Sequence, residues 1–149
     1  MPDDTLIVTI LRPPVERLVS LYHYWRNLPD STAAAVLEAK RLSLDEWAAS
    51  PETDVAKSNQ MTQLLASGVV DLDKAIVNLD KCMVGFQWDY EAFLRRLSMR
   101  LNVALDMHHE KVQTIEKPRV SYQTMHALIE RNTCDLALYE YALAKWGQA

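Results

Sequence analysis

The residues best placed to do chemistry stand where a run of apolar residues gives way to a helix pattern. Arg12 ends the run that begins at Leu6, and Pro13, Pro14, Val15, Glu16 and Arg17 follow it. An arginine at the end of a strand and the start of a helix points to anion binding. Its planar guanidinium can fork two oxygens. A helix N-terminus adds unpaired N–H groups and a positive dipole end. One charge-assisted hydrogen bond of this kind contributes about 1.5–3 kcal/mol. Losing Arg12 would then weaken an anion by about tenfold to a hundredfold. A plainer alternative stands beside this one: strand, proline and helix also serve simply to turn a corner, with Arg17 pairing a carboxylate.

The elements that must hold this corner follow from periodicity. Residues 5–11 read as a buried strand, β-branched at Ile7, Val8, Thr9 and Ile10 and cut off by prolines. Pro14 suits a first helical turn, and Val15, Leu18, Tyr22 and Trp25 share one helix face. Ser43 and Glu46 have capping-box spacing. Val55 to Ala66 reads as a helix stopped by Gly68. Leu72, Ile76 and Leu79 stripe another helix, and 81–86 is a second short strand. Asp89 is expected to cap a helix carrying Phe93, Leu94, Leu97 and Leu101. Residues 102–119 read as irregular. Ser121 opens a helix to about Arg131, and Leu136, Tyr139, Leu143 and Trp146 mark the last one. Two strands separated by helices predict a parallel pair in an α/β layer. A strand apolar throughout expects neighbours on both sides.

Bulk composition narrows the function classes. The 149 residues suit one domain, 1–149, with 49% hydrophobic and 24% charged residues. A net charge of −4 argues against a broad nucleic-acid surface. No apolar stretch reaches transmembrane length, and the acidic first residues are unlike a signal peptide, so a cytoplasmic protein with no membrane partner is expected. Cys82 and Cys134 sit in no CxxC motif and read as reduced thiols. His108 and His109 are adjacent without further ligands at zinc-like spacing, so no metal is expected. Trp25, Trp47, Trp88 and Trp146 read as packing residues rather than a stacking site.

The opening motif resembles the 3′-phosphate-binding segment of sulfotransferases that use 3′-phosphoadenosine 5′-phosphosulfate (PAPS), in their carbohydrate (heparan-type) branch and its bacterial relatives. That segment is Arg-Asp-Pro-Val-x-Arg-x-x-Ser-x-Tyr. Here Arg12, Pro14, Val15, Arg17, Ser20 and Tyr22 match, and Pro13 stands in place of the aspartate. Downstream, Asn59, Gln60, Leu64 and Gly68 are similar to an Asn-x-Gln-x-x-x-Leu-x-Gly segment. "AIVNLDKCMVGFQWDYEAFLRRL" resembles the family's helix, strand and helix, and Asp135, Leu138 and Tyr139 its terminal helix. The likeness spans nearly the whole chain.

The resemblance implies an α/β, predominantly helical chain: a partial P-loop-like sulfotransferase fold with about two parallel strands and six to seven helices. It implies that Arg12 and Ser20 hold the 3′-phosphate of PAPS or of its product PAP, and that Lys117 and Arg119 belong to a basic loop over the nucleotide. It places Asn59 and Gln60 toward a carbohydrate acceptor. The family's Pro-Lys-x-Gly-x-Thr/Ser loop, which cradles the 5′-phosphosulfate, has no counterpart here, because Gly68, Gly85 and Gly147 are isolated. The catalytic base is likewise not identified. The chain is therefore expected to be the C-terminal portion of such a domain, incomplete or inactive alone as a sulfuryl transferase. The alternative is a non-catalytic helical interaction module. It would pair, for instance as a homo-oligomer, through the Leu6–Leu11 strand.

Overall fold

The computed structural model describes residues 5–105 and 120–147. Strand β1 (Ile7–Leu11) pairs in parallel with β2 (Cys82–Phe86), in unbroken register from Ile7 opposite Cys82 to Leu11 opposite Phe86. Between them run α1 (Pro14–Asn27), α2 (Ala34–Arg41), α3 (Leu44–Ala49), α4 (Asp54–Lys57), α5 (Gln60–Leu65) and α6 (Leu72–Leu79). A 3-10 turn, Gln87–Asp89, leads from β2 into α7 (Tyr90–Leu101), and α8 (Tyr122–Arg131) and α9 (Thr133–Trp146) follow. The expected mixed α/β, mainly helical architecture with one parallel strand pair is present.

Two expectations need correction. The described residues hold nine α-helices rather than six or seven. The single helix expected over 55–66 is in fact α4 and α5, split where Asn59 takes a left-handed φ of 49°. One such residue ends a right-handed helix and redirects the chain. Burial of β1 is the second correction. Leu6, Ile7, Val8 and Ile10 are 36%, 40%, 44% and 43% exposed, and Leu11 alone in the strand is buried. β1 has β2 on one edge and no described strand on the other. β2 is better covered: Val84, Gly85 and Phe86 are buried. At Gly85 a Cβ would lie 2.4 Å from the Phe93 ring, so only glycine lets α7 approach this closely.

Two apolar clusters hold the helices. One joins the sheet to α5, α6 and α9 through Leu11, Val84, Phe86, Leu79 and Leu138. The other joins α1, α2, α3 and α8 through Leu18, Tyr22, Ala39, Trp47 and Leu128. Full burial of a side chain such as Leu18 or Leu138 contributes about 1.5–3 kcal/mol. Leu11 belongs to the first cluster and Leu18 to the second, so the Arg12–Pro13 corner is the joint between them. Trp47 is fully buried, and Trp25 and Trp146 pack partly buried at the two cluster edges. Trp88 is exposed and stacks on Phe86.

Local capping explains several boundaries. Ser43 and Glu46 form the expected box: Glu46 N–H donates to Ser43 Oγ at 3.3 Å and Ser43 N–H to Glu46 Oε2 at 2.8 Å. Ser121 Oγ accepts from Thr124 N–H at 3.1 Å and starts α8 as expected. Asp89 does not cap α7; its carboxylate lies 3.5 Å from Arg96 instead.

Candidate functional site

The corner is built by Leu11, which anchors the end of β1 in the core, and by Pro14, which opens α1. Pro13 precedes the helix at φ −50°, ψ 126°, and its carbonyl accepts the Arg17 N–H at 2.9 Å. No side chain caps this N-terminus. The first turn therefore keeps its positive dipole end without a side-chain acceptor. Two prolines remove two N–H donors from it. Glu16 adds a negative charge to the same turn.

Arg12 is half-buried, and its Nε is buried without a hydrogen-bond partner. Ser20 is exposed on α1. It follows Pro13 by two helical turns, on the same flank and about 10 Å along the axis. An anion that touches both Arg12 and Ser20 would thus lie along the flank of α1 rather than at its tip. His23 continues this flank one turn on. Its Nε2 is buried without a hydrogen bond, and burial, then the nearby Arg26 charge, pushes its pKa below the usual histidine value.

Arg17, Asn59 and Gln60 are brought together, but around a buried aspartate. Gln60 Oε1 accepts from Arg17 Nη1 at 2.8 Å. Arg17 Nη2 lies 3.7 Å from Asp135 Oδ2, and its Nε and Nη2 have no hydrogen-bond acceptor. Burial lowers the Arg17 pKa below the ordinary guanidinium value, and the Asp135 charge pulls it back up. Asp135 is fully buried and accepts three hydrogen bonds: Met61 N–H at 3.0 Å, and Thr62 N–H and Oγ1–H at 2.8 Å each.

The helix ends here are capped reciprocally. Asp135, in the first turn of α9, takes the first-turn N–H groups of α5. Asn59, just before α5, takes those of α9: Cys134 N–H at 3.0 Å and Asp135 N–H at 3.1 Å reach its Oδ1. Asn59 N–H in turn donates to Asn132 Oδ1 at 2.9 Å. Neither helix is capped by its own preceding residue. Each termini pair satisfies donors that would otherwise be orphaned inside the protein. Asn59 and Asp135 are residue types that form caps, but the sequence reading sets Asn59 inside one helix over 55–66, and each cap is made to a helix more than seventy residues away.

A second buried cation escaped the sequence reading. Lys57 Nζ uses all three donors, on Glu38 Oε1 at 2.9 Å, Ser50 O at 2.9 Å and Trp47 O at 3.1 Å, beside the Trp47 ring. Thr53 Oγ1–H also donates to Glu38. Arg131 adds donors to Ser50 O at 2.7 Å and Ala49 O at 2.9 Å. Both cations thus neutralise the carbonyl end of α3, which makes them structural.

Lys117 and Arg119, expected in a basic loop, and His108 and His109 lie outside the described residues. Among the described residues no group of three or more His, Cys, Asp or Glu side chains is set to hold a metal, and no helix is long and apolar enough to cross a membrane. Cys82 and Cys134 are free and half-buried. Comparison with protein-family models, curated proteins and solved structures finds no match for this chain.

Proposed function

We propose that this chain carries the 3′-phosphate-binding half of a PAPS-dependent sulfotransferase site of the carbohydrate type. The observation that carries the reading is the corner itself. Arg12, at the start of the α1 flank that carries Ser20, has an Nε buried without an acceptor. An anion's oxygen is the partner such a group lacks. The part of PAPS these residues fit is the 3′-phosphate, with Arg12 as charged donor and Ser20 as hydroxyl donor on the flank of α1. Arg17, tied to Gln60 and Asp135, fixes the orientation of α1 relative to α5 and α9. Bound PAPS supplies the sulfuryl group for a carbohydrate hydroxyl. No residue of this sequence forms the glycine-lysine loop that would hold its 5′ end. This chain alone is expected to bind the nucleotide without turnover. The free thiols suit a reducing compartment such as the cytoplasm.

Calorimetric titration with PAP tests this. A Kd between about 1 μM and 1 mM is expected, weakened about tenfold to a hundredfold in Arg12→Ala. Equal binding by wild type and variant, or none by the folded wild type, refutes it. A second reading is a helical module that pairs with other chains through β1, and the exposure of Ile7, Val8 and Ile10 favours it.

A further inference from the structure

Resting on that second reading, we infer that β1 pairs with β1 of a second copy, antiparallel about a two-fold axis at Val8. The occupant follows from the edge. From Leu6 to Leu11 the strand has no charge, no proline and no bulge, so it lacks the usual guards against pairing. It is the strand of the described sheet whose side chains stand uncovered, while β2 ends buried. A contact between the β1 edges of two copies is isologous and closes at two copies, and β2, with Val84, Gly85 and Phe86 buried, offers no comparable row of exposed apolar side chains.

The register follows from the faces. Paired residues of a sheet share a face, so Val8 and Ile10 lie on the side of Met83 and Gly85, where Phe93 of α7 packs. A two-fold axis perpendicular to the sheet keeps that side common to both copies. With the axis at Val8, Val8 faces its own symmetry mate and Leu6 faces Ile10. The three exposed apolar residues of that face then cover one another. Moving the axis to Thr9 would set Leu6 opposite Arg12 and leave a charge against an apolar side chain.

The area sets the strength. Leu6, Ile7, Val8 and Ile10, at 36–44% exposure, offer about 300 Å² of apolar surface per copy, which with backbone and rim reaches roughly 1,000 Å² in total, the size of a weak or transient interface. A dimer with a Kd in the micromolar range is therefore expected, not an obligate one.

Sedimentation velocity over a dilution series and a disulfide trap test the inference together. In a Cys82→Ala/Cys134→Ala background, Val8→Cys should form an intermolecular disulfide on mild oxidation. Cα atoms directly opposite in an antiparallel pair lie about 4.5–5.5 Å apart, within disulfide reach. Thr9→Cys should trap far less. Val8→Lys should give a monomer of unchanged circular dichroism, and Val77→Lys, on exposed α6 surface, should leave the dimer intact. A wild type that stays monomeric up to millimolar concentration overturns the inference. Equal trapping at Val8 and Thr9, or a dimer that survives Val8→Lys, overturns it too. PAP titration reads the other site, so either proposal can fail while the other stands.

Discussion

Replacing Asp135 with asparagine keeps the shape of the side chain and removes its charge, and it should destabilise the protein by about 2–4 kcal/mol. The magnitude follows from its contacts. One carboxylate oxygen takes both donors of Thr62, and the other takes Met61 N–H and faces Arg17. An amide keeps one acceptor oxygen, best used on Thr62. Its NH₂ then points at Met61 N–H and at the Arg17 guanidinium. One buried backbone donor loses its acceptor, at about 1–3 kcal/mol, and a half-buried cation loses its counter-charge. Asp135→Ala orphans every donor and should cost about 4–6 kcal/mol, close to the whole stability of a small domain, about 5–15 kcal/mol. Urea unfolding followed by circular dichroism is the assay. The asparagine variant should lower the midpoint by about 1–3 M at unchanged slope. In a double-mutant cycle with Arg17→Met the two changes should couple by about 0.5–3 kcal/mol. An asparagine variant within about 0.5 kcal/mol of wild type would refute the reciprocal-cap account of the α5–α9 junction.

Two further outcomes rest on the same packing. Burial pushes the Glu38 carboxyl up, but hydrogen bonds from Ser50, Thr53 and Lys57 and the Lys57 charge outweigh it and hold its pKa below the ordinary value. A depressed folded pKa stabilises above the unfolded value, about 4.3, and that stabilisation is lost as pH falls through the folded one. The stability gap between wild type and Glu38→Gln should therefore shrink from pH 6 to pH 3 in urea titrations, and a gap independent of pH would contradict this. Gly85→Ala puts a methyl 2.4 Å from the Phe93 ring and should cost about 1–3 kcal/mol; an unchanged thermal midpoint would show that α7 can move away freely.

Much of the fold was legible because short-range chemistry decides it. The apolar run of β1, the Pro14 start of α1, the Ser43 box and the Ser121 cap all depend on neighbours a few residues away. What escaped was long-range. The break at Asn59 exists because its side chain serves α9, and no local pattern announces a cap between residues 59 and 135. Nothing in the local sequence marks Lys57 and Glu38 as buried; they become so where α2, α3 and α4 close around them. The burial expected for β1 failed for a similar reason. An apolar run specifies what a strand wants beside it, but not whether the described chain supplies it. At the candidate site, residue types were legible at Arg12, Ser20 and Arg17. Their division of labour was not: Arg17 turns inward to Gln60 and Asp135, while Arg12 keeps a buried donor without an acceptor.

The proposed role of the Arg12 corner is to read a 3′-phosphate. Its most direct test compares PAP with adenosine 5′-phosphate, which lacks only that group, by titration into the folded chain. PAP should bind at least about tenfold more tightly, and Arg12→Ala should erase the difference. Equal affinity of the two nucleotides for wild type would contradict the account.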